Sequence, residues 1–224
     1  MQHELKLYDH LLQFPLFQGM SRSELLQMAG STRFDFQRQK AGRVLITEGE
    51  NCNQLLFLIQ GQIVYESYSA DHGYSVVETL NAPWLIQPEA LFGITTRYSH
   101  TVKTLTDAQF FALSKDEVLR LLDDFLIIRL NLFNQFAALA QRTQQRLWRS
   151  TTPTLEARII RFFLDHSVYP AGRKEFHMLM TRLADEVNDS RLDVSRALNA
   201  MQQRGVIMLH RGCIEIPLLE RLLM

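Results

Sequence analysis

The chain has 224 residues, of which 46% are hydrophobic, and its 24 Lys and Arg residues balance 24 Asp and Glu residues. This length can bury one or two cores, and the lack of a run of about 18 apolar residues excludes a transmembrane helix. The two cysteines, Cys52 and Cys213, are too few for a disulfide framework or an all-cysteine iron–sulfur cluster, so we expect a cytoplasmic protein.

The N-terminal half predicts a helical lead-in followed by a β-rich region. Residues 4–30 are predicted to be helical, with an interruption at Pro15 and a new start capped by Ser21. From Phe34 to about Leu113 the pattern changes to short apolar runs separated by turns. Many short strands at close spacing predict a β-sandwich or barrel of the jelly-roll kind.

A long helix is predicted from Phe125 to Trp148, because this stretch contains neither glycine nor proline. About 24 residues of helix span about 36 Å. Its apolar stripe includes Ile128, Leu132, Phe136, Leu139 and Ala140. A buried core helix would explain the stripe, but a seam that pairs two chains is the favoured interpretation. Ser150–Pro153 predicts a hinge after this helix, since proline cannot continue it.

Residues 181–198 predict two helices joined by a tight turn. The first helix has an apolar face, which consists of Leu183, Ala184 and Val187. Asn188 and Asp189 favour a turn, and Ser190 matches the start of a capping box completed by Asp193. The second helix has an apolar inner stripe made of Val194, Ala197, Leu198 and Met201. Its outward side chains are those of Arg191, Ser195, Arg196 and Asn199.

This helix pair is either an ordinary helical hairpin or a helix-turn-helix whose second helix enters a major groove of DNA. The residues after it favour the second interpretation. Gly205–Leu209 predicts a strand, His210–Gly212 a turn, and Cys213–Ile216 another strand. A short hairpin directly after a recognition helix is the layout of a winged helix-turn-helix.

Several short motifs occur in a specific order along the chain. They are Pro15-Leu16-Phe17, Ala41-Gly42, Glu48-Gly49-Glu50, Leu56-Phe57-Leu58-Ile59, Gly61, Ser190-Arg191 and Val194-Ser195-Arg196. Together with the element order, they resemble the CRP/FNR family of bacterial transcription regulators. The resemblance implies an α+β fold: an N-terminal jelly-roll β-roll sensor domain at 1–124, a dimerisation helix and hinge at 125–152, and a C-terminal winged helix-turn-helix at 153–224.

The resemblance also implies a homodimer that binds a two-fold-related site on double-stranded DNA and contacts RNA polymerase. An effector in the β-roll would shift the protein between two states. Arg191 and Arg196 would read guanine edges or clamp phosphates, and Ser190 would donate to a phosphate at the helix N-terminus. The implied DNA-binding residues are Ser190, Arg191, Ser195, Arg196 and, in the wing turn, Arg211. Leu192 stands where the family most often has a base-reading glutamate, so we expect a different operator.

For the effector, the resemblance points to the segment from Gln87 to Ser99. Cyclic-nucleotide binders of the family hold phosphate and ribose with a Gly-Glu-Leu turn and an Arg-Ser pair. The corresponding candidate contacts here are Glu89, Arg97, Ser99 and, on the long helix, Thr143. Pro88 replaces the turn glycine and Tyr98 aligns with the arginine, which disfavours a cyclic nucleotide as the ligand. Alternatively, Glu89, Arg97 and Ser99 only organise a loop.

Two other functions stay open. A cupin-like metal enzyme would need clustered histidines, whereas the predicted β-roll has only His72 and His100. We therefore expect no enzyme activity, no metal site, no haem and no iron–sulfur cluster. A nucleotide-binding regulatory subunit that acts on a protein partner would have no use for the predicted winged helix.

Overall fold

The computed structural model describes residues 10–147 and 154–223, which fall into two compact units. The first unit contains 10–63, 81–99 and 103–147, and the second contains 64–80, 100–102 and 154–223. Three predictions lie outside the described residues: the start of the lead-in helix at 4–9, the helix end at Trp148, and the hinge at Ser150–Pro153. None of the described helices is long and apolar enough to cross a bilayer.

The described α-helices are α1 (Arg22–Ser31), α2 (Glu89–Phe92), α3 (Lys115–Asp124), α4 (Leu126–Leu147), α5 (Leu155–Asp165), α6 (Met180–Val187) and α7 (Arg191–Gln203). Short 3-10 helices occur at Pro15–Phe17 and Leu219–Leu223. The predicted start at Ser21 is confirmed, because α1 begins with a complete capping box. Glu24 N donates to Ser21 Oγ at 3.3 Å, and Ser21 N donates to Glu24 Oε2 at 2.7 Å.

The described strands are β1 (Asp35–Gln39), β2 (Val44–Ile46), β3 (Gln54–Gln60), β4 (Gln62–Tyr68), β5 (Ser75–Asn81), β6 (Trp84–Ile86), β7 (Thr101–Thr104), β8 (Ala108–Ser114), β9 (Lys174–His177), β10 (Met208–His210) and β11 (Cys213–Ile216). In the first unit, an antiparallel sheet has the order β1-β8-β3-β6. In the second unit, the strand order is β10-β11-β9-β5-β4. The prediction of many short strands between residues 34 and 113 is confirmed.

The core of the first unit is built from aromatic rings. Phe57 on β3 stacks on Phe111 on β8 with ring centroids 4.3 Å apart. Phe14 meets the two rings edge-on, at 5.1 and 5.7 Å. Stacked and edge-on pairs stabilise a core beyond the area that they bury. The lead-in is thereby packed against the four-stranded sheet.

The apolar stripe predicted on the long helix is not a single surface, which corrects that prediction. Ile128 and Leu132 are buried in the first unit. Asn131, between them in sequence, donates from Nδ2 to the carbonyls of Leu16 and Gln18 at 3.0 and 2.8 Å. Leu139, one of the later stripe residues, is exposed. The first part of α4 therefore packs on its own lead-in, and the helix presents other residues to solvent.

The second unit contains a hairpin that comes from the middle of the chain. Strand β5 pairs with β9, so that Val76 lies opposite Phe176 and Glu78 lies opposite Lys174. Val76 and Phe176 are both buried in the core that α5, α6 and α7 cover. Sequence patterns assigned residues 64–80 to the β-roll alone, because nothing local to them indicates a partner far along the chain.

Glu78 and Lys174 form a buried ion pair inside this unit. Lys174 Nζ lies 2.9 Å from Glu78 Oε2, and both side chains are 0% exposed. The Glu78 carboxylate also accepts from the N–H groups of Val168 and Tyr169 at 2.6 and 3.2 Å, and Lys174 donates to Ala171 O at 2.8 Å. An unpaired charge in such a place would cost several kcal/mol. The pair therefore favours one register of β5 against β9.

Candidate nucleic-acid interface and effector site

The turn between α6 and α7 has the predicted position and a modified cap. Asn188 is left-handed, with φ +50°, and Asp189 N donates to Ala184 O at 3.0 Å. Ser190 Oγ accepts from Asp193 N at 3.1 Å and donates to Asp193 Oδ2 at 2.6 Å. Ser190 N donates instead to Asp189 Oδ1 at 2.7 Å. The N-cap is confirmed, but the reciprocal bond of a capping box is made by the neighbouring aspartate.

Arg158 on α5 supports this turn, and the sequence analysis missed it. Its Nε donates to Val187 O at 3.0 Å, and its Nη2 pairs with the Asp189 carboxylate. Arg158 is half-buried, so its guanidinium acts as a structural cation beneath the turn. No local pattern could have revealed this role, because the partners lie on a different helix.

The inner and outer faces of α7 match the prediction. Val194, Leu198 and Met201 are fully buried. Arg191, Arg196 and Asn199 are exposed, and Ser195 is half-buried. The outer bonds are local: Arg196 Nη1 lies 3.3 Å from Asp193 Oδ1, and Asn199 Nδ2 donates to Ser195 O at 2.8 Å. Leu192 is also exposed, so one apolar side chain interrupts the polar face.

The wing hairpin is shorter than predicted. Its first strand begins at Met208 rather than Gly205. Gly205, with φ +72°, closes the end of α7 by donating to Gln202 O at 2.8 Å, and Val206 N donates to Met201 O at 3.2 Å. These are the bonds of a helix C-cap, which glycine favours because it has no Cβ.

The tip of the wing holds an exposed arginine. Arg211 lies in the turn between β10 and β11 and is exposed, and the following Gly212 has φ +73°. In the middle of β10, Leu209 N donates to Gln202 Oε1 at 2.8 Å. This bond attaches the hairpin to the last turn of α7, so Arg211 is presented by a supported element.

The candidate effector residues in the first unit are engaged with their own backbone surroundings. Arg97 is exposed and donates from Nη1 to Gly49 O at 2.6 Å. Ser99 donates from both N and Oγ to Gln87 Oε1, at 2.8 and 3.0 Å. Glu89, the first residue of α2, is half-buried, and burial raises the pKa of its carboxyl. Ser99 is therefore tied to the segment that leads into Glu89.

The remaining predicted contact, Thr143, and the aligned tyrosine, Tyr98, also make local hydrogen bonds. Thr143 is exposed on α4 and donates to Leu139 O at 3.1 Å. Tyr98, which aligns with the family arginine, is buried; its N donates to Glu50 O at 3.0 Å, and burial raises the pKa of its hydroxyl. The side-chain hydrogen bonds described above for Arg97, Ser99 and Thr143 go to Gly49, Gln87 and Leu139, so none of these bonds joins two of the predicted contacts.

A polar cavity of about 300 Å³ lies beside Tyr98 in the first unit. Carboxamide side chains supply much of its lining, namely Gln37, Gln39, Asn51, Asn53 and Gln54. Glu50 also lines it. Amides offer donors and acceptors without charge, and a carboxylate repels an anion, so this lining is poorly suited to a phosphate.

Comparisons with known proteins agree with this geometry. The sequence matches the family model of the cyclic nucleotide-binding domain over residues 36–125 and that of the Crp-like helix-turn-helix domain over residues 157–224. No curated protein sequence matches the chain.

Solved structures with a similar fold include three bacterial regulators or parts of them. The catabolite activator protein of Thermus thermophilus is 20% identical, with 93% of this chain and 96% of that chain covered and a TM-score of 0.54. The c-di-GMP-responsive regulator CLP of Xanthomonas campestris is 16% identical (87% and 99% covered, TM-score 0.52). The sensor domain of DNR from Pseudomonas aeruginosa is 22% identical (69% and 99% covered, TM-score 0.54). At these identities the likeness shows the fold.

The two family models together span well over half of the chain, in the order expected from its sequence motifs. The second model contains the whole of α6, the turn and α7, whose outer face carries the exposed arginines. The chain belongs to the CRP/FNR family of DNA-binding transcription regulators.

Proposed function

We propose that this regulator works as a homodimer that binds a two-fold symmetric operator in the cytoplasm, under the control of an effector in its first unit. Contact with RNA polymerase is part of the same proposal. The observation that carries it is an exposed apolar seam on α4. A second copy of the chain would cover this seam and place two α7 helices on one duplex.

The α4 seam consists of Leu126, Leu130, Phe133, Ala137 and Ala140. These residues follow one another at alternating spacings of four and three positions, which is the repeat of a left-handed coiled coil. Leu126, Leu130 and Phe133 are 62%, 47% and 58% exposed. Large apolar side chains in a row are costly in water, and pairing with the same seam of a second chain buries them. Ile128 and Leu132, from the stripe predicted earlier, point the other way into the first unit.

The proposed DNA contacts are Ser190, Arg191, Ser195, Arg196 and Arg211. Arg191 and Arg196 are exposed, and a guanidinium fork fits the O6 and N7 atoms of guanine. The pair of Arg196 with Asp193 is exposed, and exposed ion pairs contribute little free energy, so DNA can replace it at small cost. Ser190, Ser195 and Arg211 are proposed to contact the sugar–phosphate backbone, which fixes the register of the protein on the duplex.

We propose that the effector is contacted by Glu89, Arg97, Ser99 and Thr143. We also propose that it is not a cyclic nucleotide, because the residues present are poorly suited to a phosphate. The ring of Tyr98, which is buried, stands where cyclic-nucleotide binders of the family have the arginine that contacts the phosphate. The polar cavity beside Tyr98 also carries a carboxylate, from Glu50, that would repel a phosphate.

The dimer is tested by two matched leucine substitutions on α4. Leu130→Glu places a charge in the seam, whereas Leu139→Glu places the same charge at an exposed leucine outside the seam. Light scattering gives the mass in solution, and selection of bound fragments from genomic DNA gives the operator. We expect a dimer and two-fold sites with half-sites about one helical turn, ~34–36 Å, apart for the wild type and Leu139→Glu.

Leu130→Glu is expected to be monomeric and to lose operator affinity while keeping its helical content. A dimeric Leu130→Glu protein would show that the α4 seam is not the dimer interface. The proposal as a whole would be refuted if the wild type were monomeric and bound all duplex sequences equally.

A further inference from the structure

Three metal-ligating side chains meet on the outer face of the sheet in the second unit. Cys213 on β11 lies opposite His177 on β9, and Glu175 precedes His177 by two positions. Directly opposed residues and residues two apart on a strand share one face of a sheet, so all three project to the same side. Their ligating atoms lie within 4.8 Å of one another. The intervening residues, Phe176 and Ile214, face the buried core.

The distances are close to those of a tetrahedral metal centre. Zn²⁺ binds nitrogen, oxygen and sulfur at about 2.0–2.3 Å, which places neighbouring ligands about 3.6 Å apart. His177 Nε2 lies 3.5 Å from Glu175 Oε2. The Cys213 sulfur lies within 4.8 Å of the other two ligating atoms, so a side-chain movement of about 1 Å brings it to the same spacing. None of the three residues is buried, so the side chains have room to adjust.

Arg173 orients the carboxylate of this cluster. Its Nη2 lies 2.9 Å from Glu175 Oε1, and its Nε lies 3.0 Å from Glu215 Oε1. Because the guanidinium holds one oxygen of Glu175, the other oxygen is directed towards His177. Outer partners of this kind fix the orientation of metal ligands. Two carboxylates surround one guanidinium here, so the local charge remains favourable to a cation.

We propose that Glu175, His177 and Cys213 bind a divalent transition-metal ion of the Zn²⁺ class. A thiolate and an imidazole select such an ion over Mg²⁺ or Ca²⁺, which prefer oxygen. Three protein ligands leave a fourth position for water or for His210, which lies opposite Cys213 on β10. The metal would join β9 to the wing strand β11. The expectation of no metal was based on the histidines of the β-roll and did not consider this sheet.

The test uses Co²⁺ as a spectroscopic substitute for Zn²⁺ on the full chain. We expect one equivalent to bind per chain, with the thiolate-to-cobalt charge-transfer absorption of a cysteine ligand and with displacement by Zn²⁺. Cys213→Ser should abolish the charge-transfer absorption. His177→Gln should weaken Co²⁺ binding by at least tenfold while retaining that absorption at saturation, because the thiolate remains.

Two variants serve as controls for adventitious binding. Cys52→Ser removes the other thiol, and His72→Asn removes an exposed turn histidine while keeping a residue that tolerates its φ of +53°. Both should bind Co²⁺ like the wild type. The proposal is overturned if Cys213→Ser keeps the wild-type absorption or if His177→Gln keeps the wild-type affinity. His177 is exposed, so its variant decides the question even if Cys213→Ser fails to fold.

Discussion

Helix α7 and the candidate effector segment, residues 87–99, use polar side chains in opposite ways. On α7, Arg191 and Arg196 stand in solvent above a fully buried apolar stripe. Between Gln87 and Ser99, the serine is hydrogen-bonded to Gln87 within the segment, and Arg97 is hydrogen-bonded to Gly49 of another turn. A helix presents its outward residues through its period alone, whereas a loop places each residue through tertiary partners. The first kind of site is therefore much easier to predict.

The unit that carries α7 also contains charged groups away from solvent, and those charges are paired. Arg158 supports the turn, and the Glu78–Lys174 pair, which joins β5 to β9, is fully buried. Paired interior charges set geometry, whereas exterior charges such as those of Arg191 and Arg196 lie in solvent, where a partner can reach them. Four substitutions test this contrast, from the largest expected effect to the smallest.

The largest effect is expected from the buried ion pair. Lys174→Met leaves the Glu78 carboxylate buried without its cation, and we expect a loss of about 3–5 kcal/mol in the free energy of unfolding. The double variant Glu78→Gln with Lys174→Met removes both charges and should recover much of the loss. Chemical denaturation of the full chain measures both. A Lys174→Met protein as stable as the wild type would show that the ion pair does not stabilise this unit.

An intermediate effect is expected on the exposed face of α7. Arg191→Ala should weaken binding to the selected operator by about 1–3 kcal/mol, which is about 5-fold to 150-fold in affinity. Thermal stability should change little because the side chain is exposed. Arg22→Ala on α1 removes the same charge from an exposed site in the other unit and serves as the control. Titration of a labelled operator measures both. Equal affinities of the two variants would refute a base-reading role for Arg191.

A smaller, pH-dependent effect is expected at Glu89. Burial raises the pKa of this carboxyl in the folded state, so the folded chain holds the proton more tightly than the unfolded chain. Stability is therefore lost as pH rises above the ordinary glutamate pKa towards the raised value. Glu89→Gln stays neutral and should melt at a higher temperature than the wild type at pH 7. The two melting temperatures should converge in acid, and a constant difference would contradict the linkage.

The smallest effect is expected from Arg97→Ala. The lost bond joins an exposed guanidinium to the Gly49 carbonyl, which water can replace, so we expect a change below about 1 kcal/mol in stability. Operator affinity without added metabolites should not change. Calorimetry with a cyclic nucleotide should show no binding to either protein. Tight nucleotide binding that Arg97→Ala abolishes would restore the cyclic-nucleotide interpretation.

Some of the candidate sites could be predicted because they depend on local rules. The apolar spacing of Val194, Leu198 and Met201 identified the inner face of α7, and the turn at Asn188 was expected from residue type. The start of the wing was misplaced by three residues, because the role of Gly205 as a helix cap depends on where α7 ends. The metal-ligating cluster was missed because β9 and β11 are brought together only by the sheet.

The amino-acid sequence by itself determined the order of elements, the helix-turn-helix and its outward arginines, because helical period, caps and turn residues act over a few positions. Only tertiary structure decided which side of α4 packs against the first unit and which strands pair with β9. It also decided that Glu78 pairs with Lys174, that Arg97 donates to Gly49, and that Cys213 lies opposite His177. Those choices depend on contacts between residues far apart in the chain, and a pattern of residue types along the sequence does not encode which distant segment will supply them.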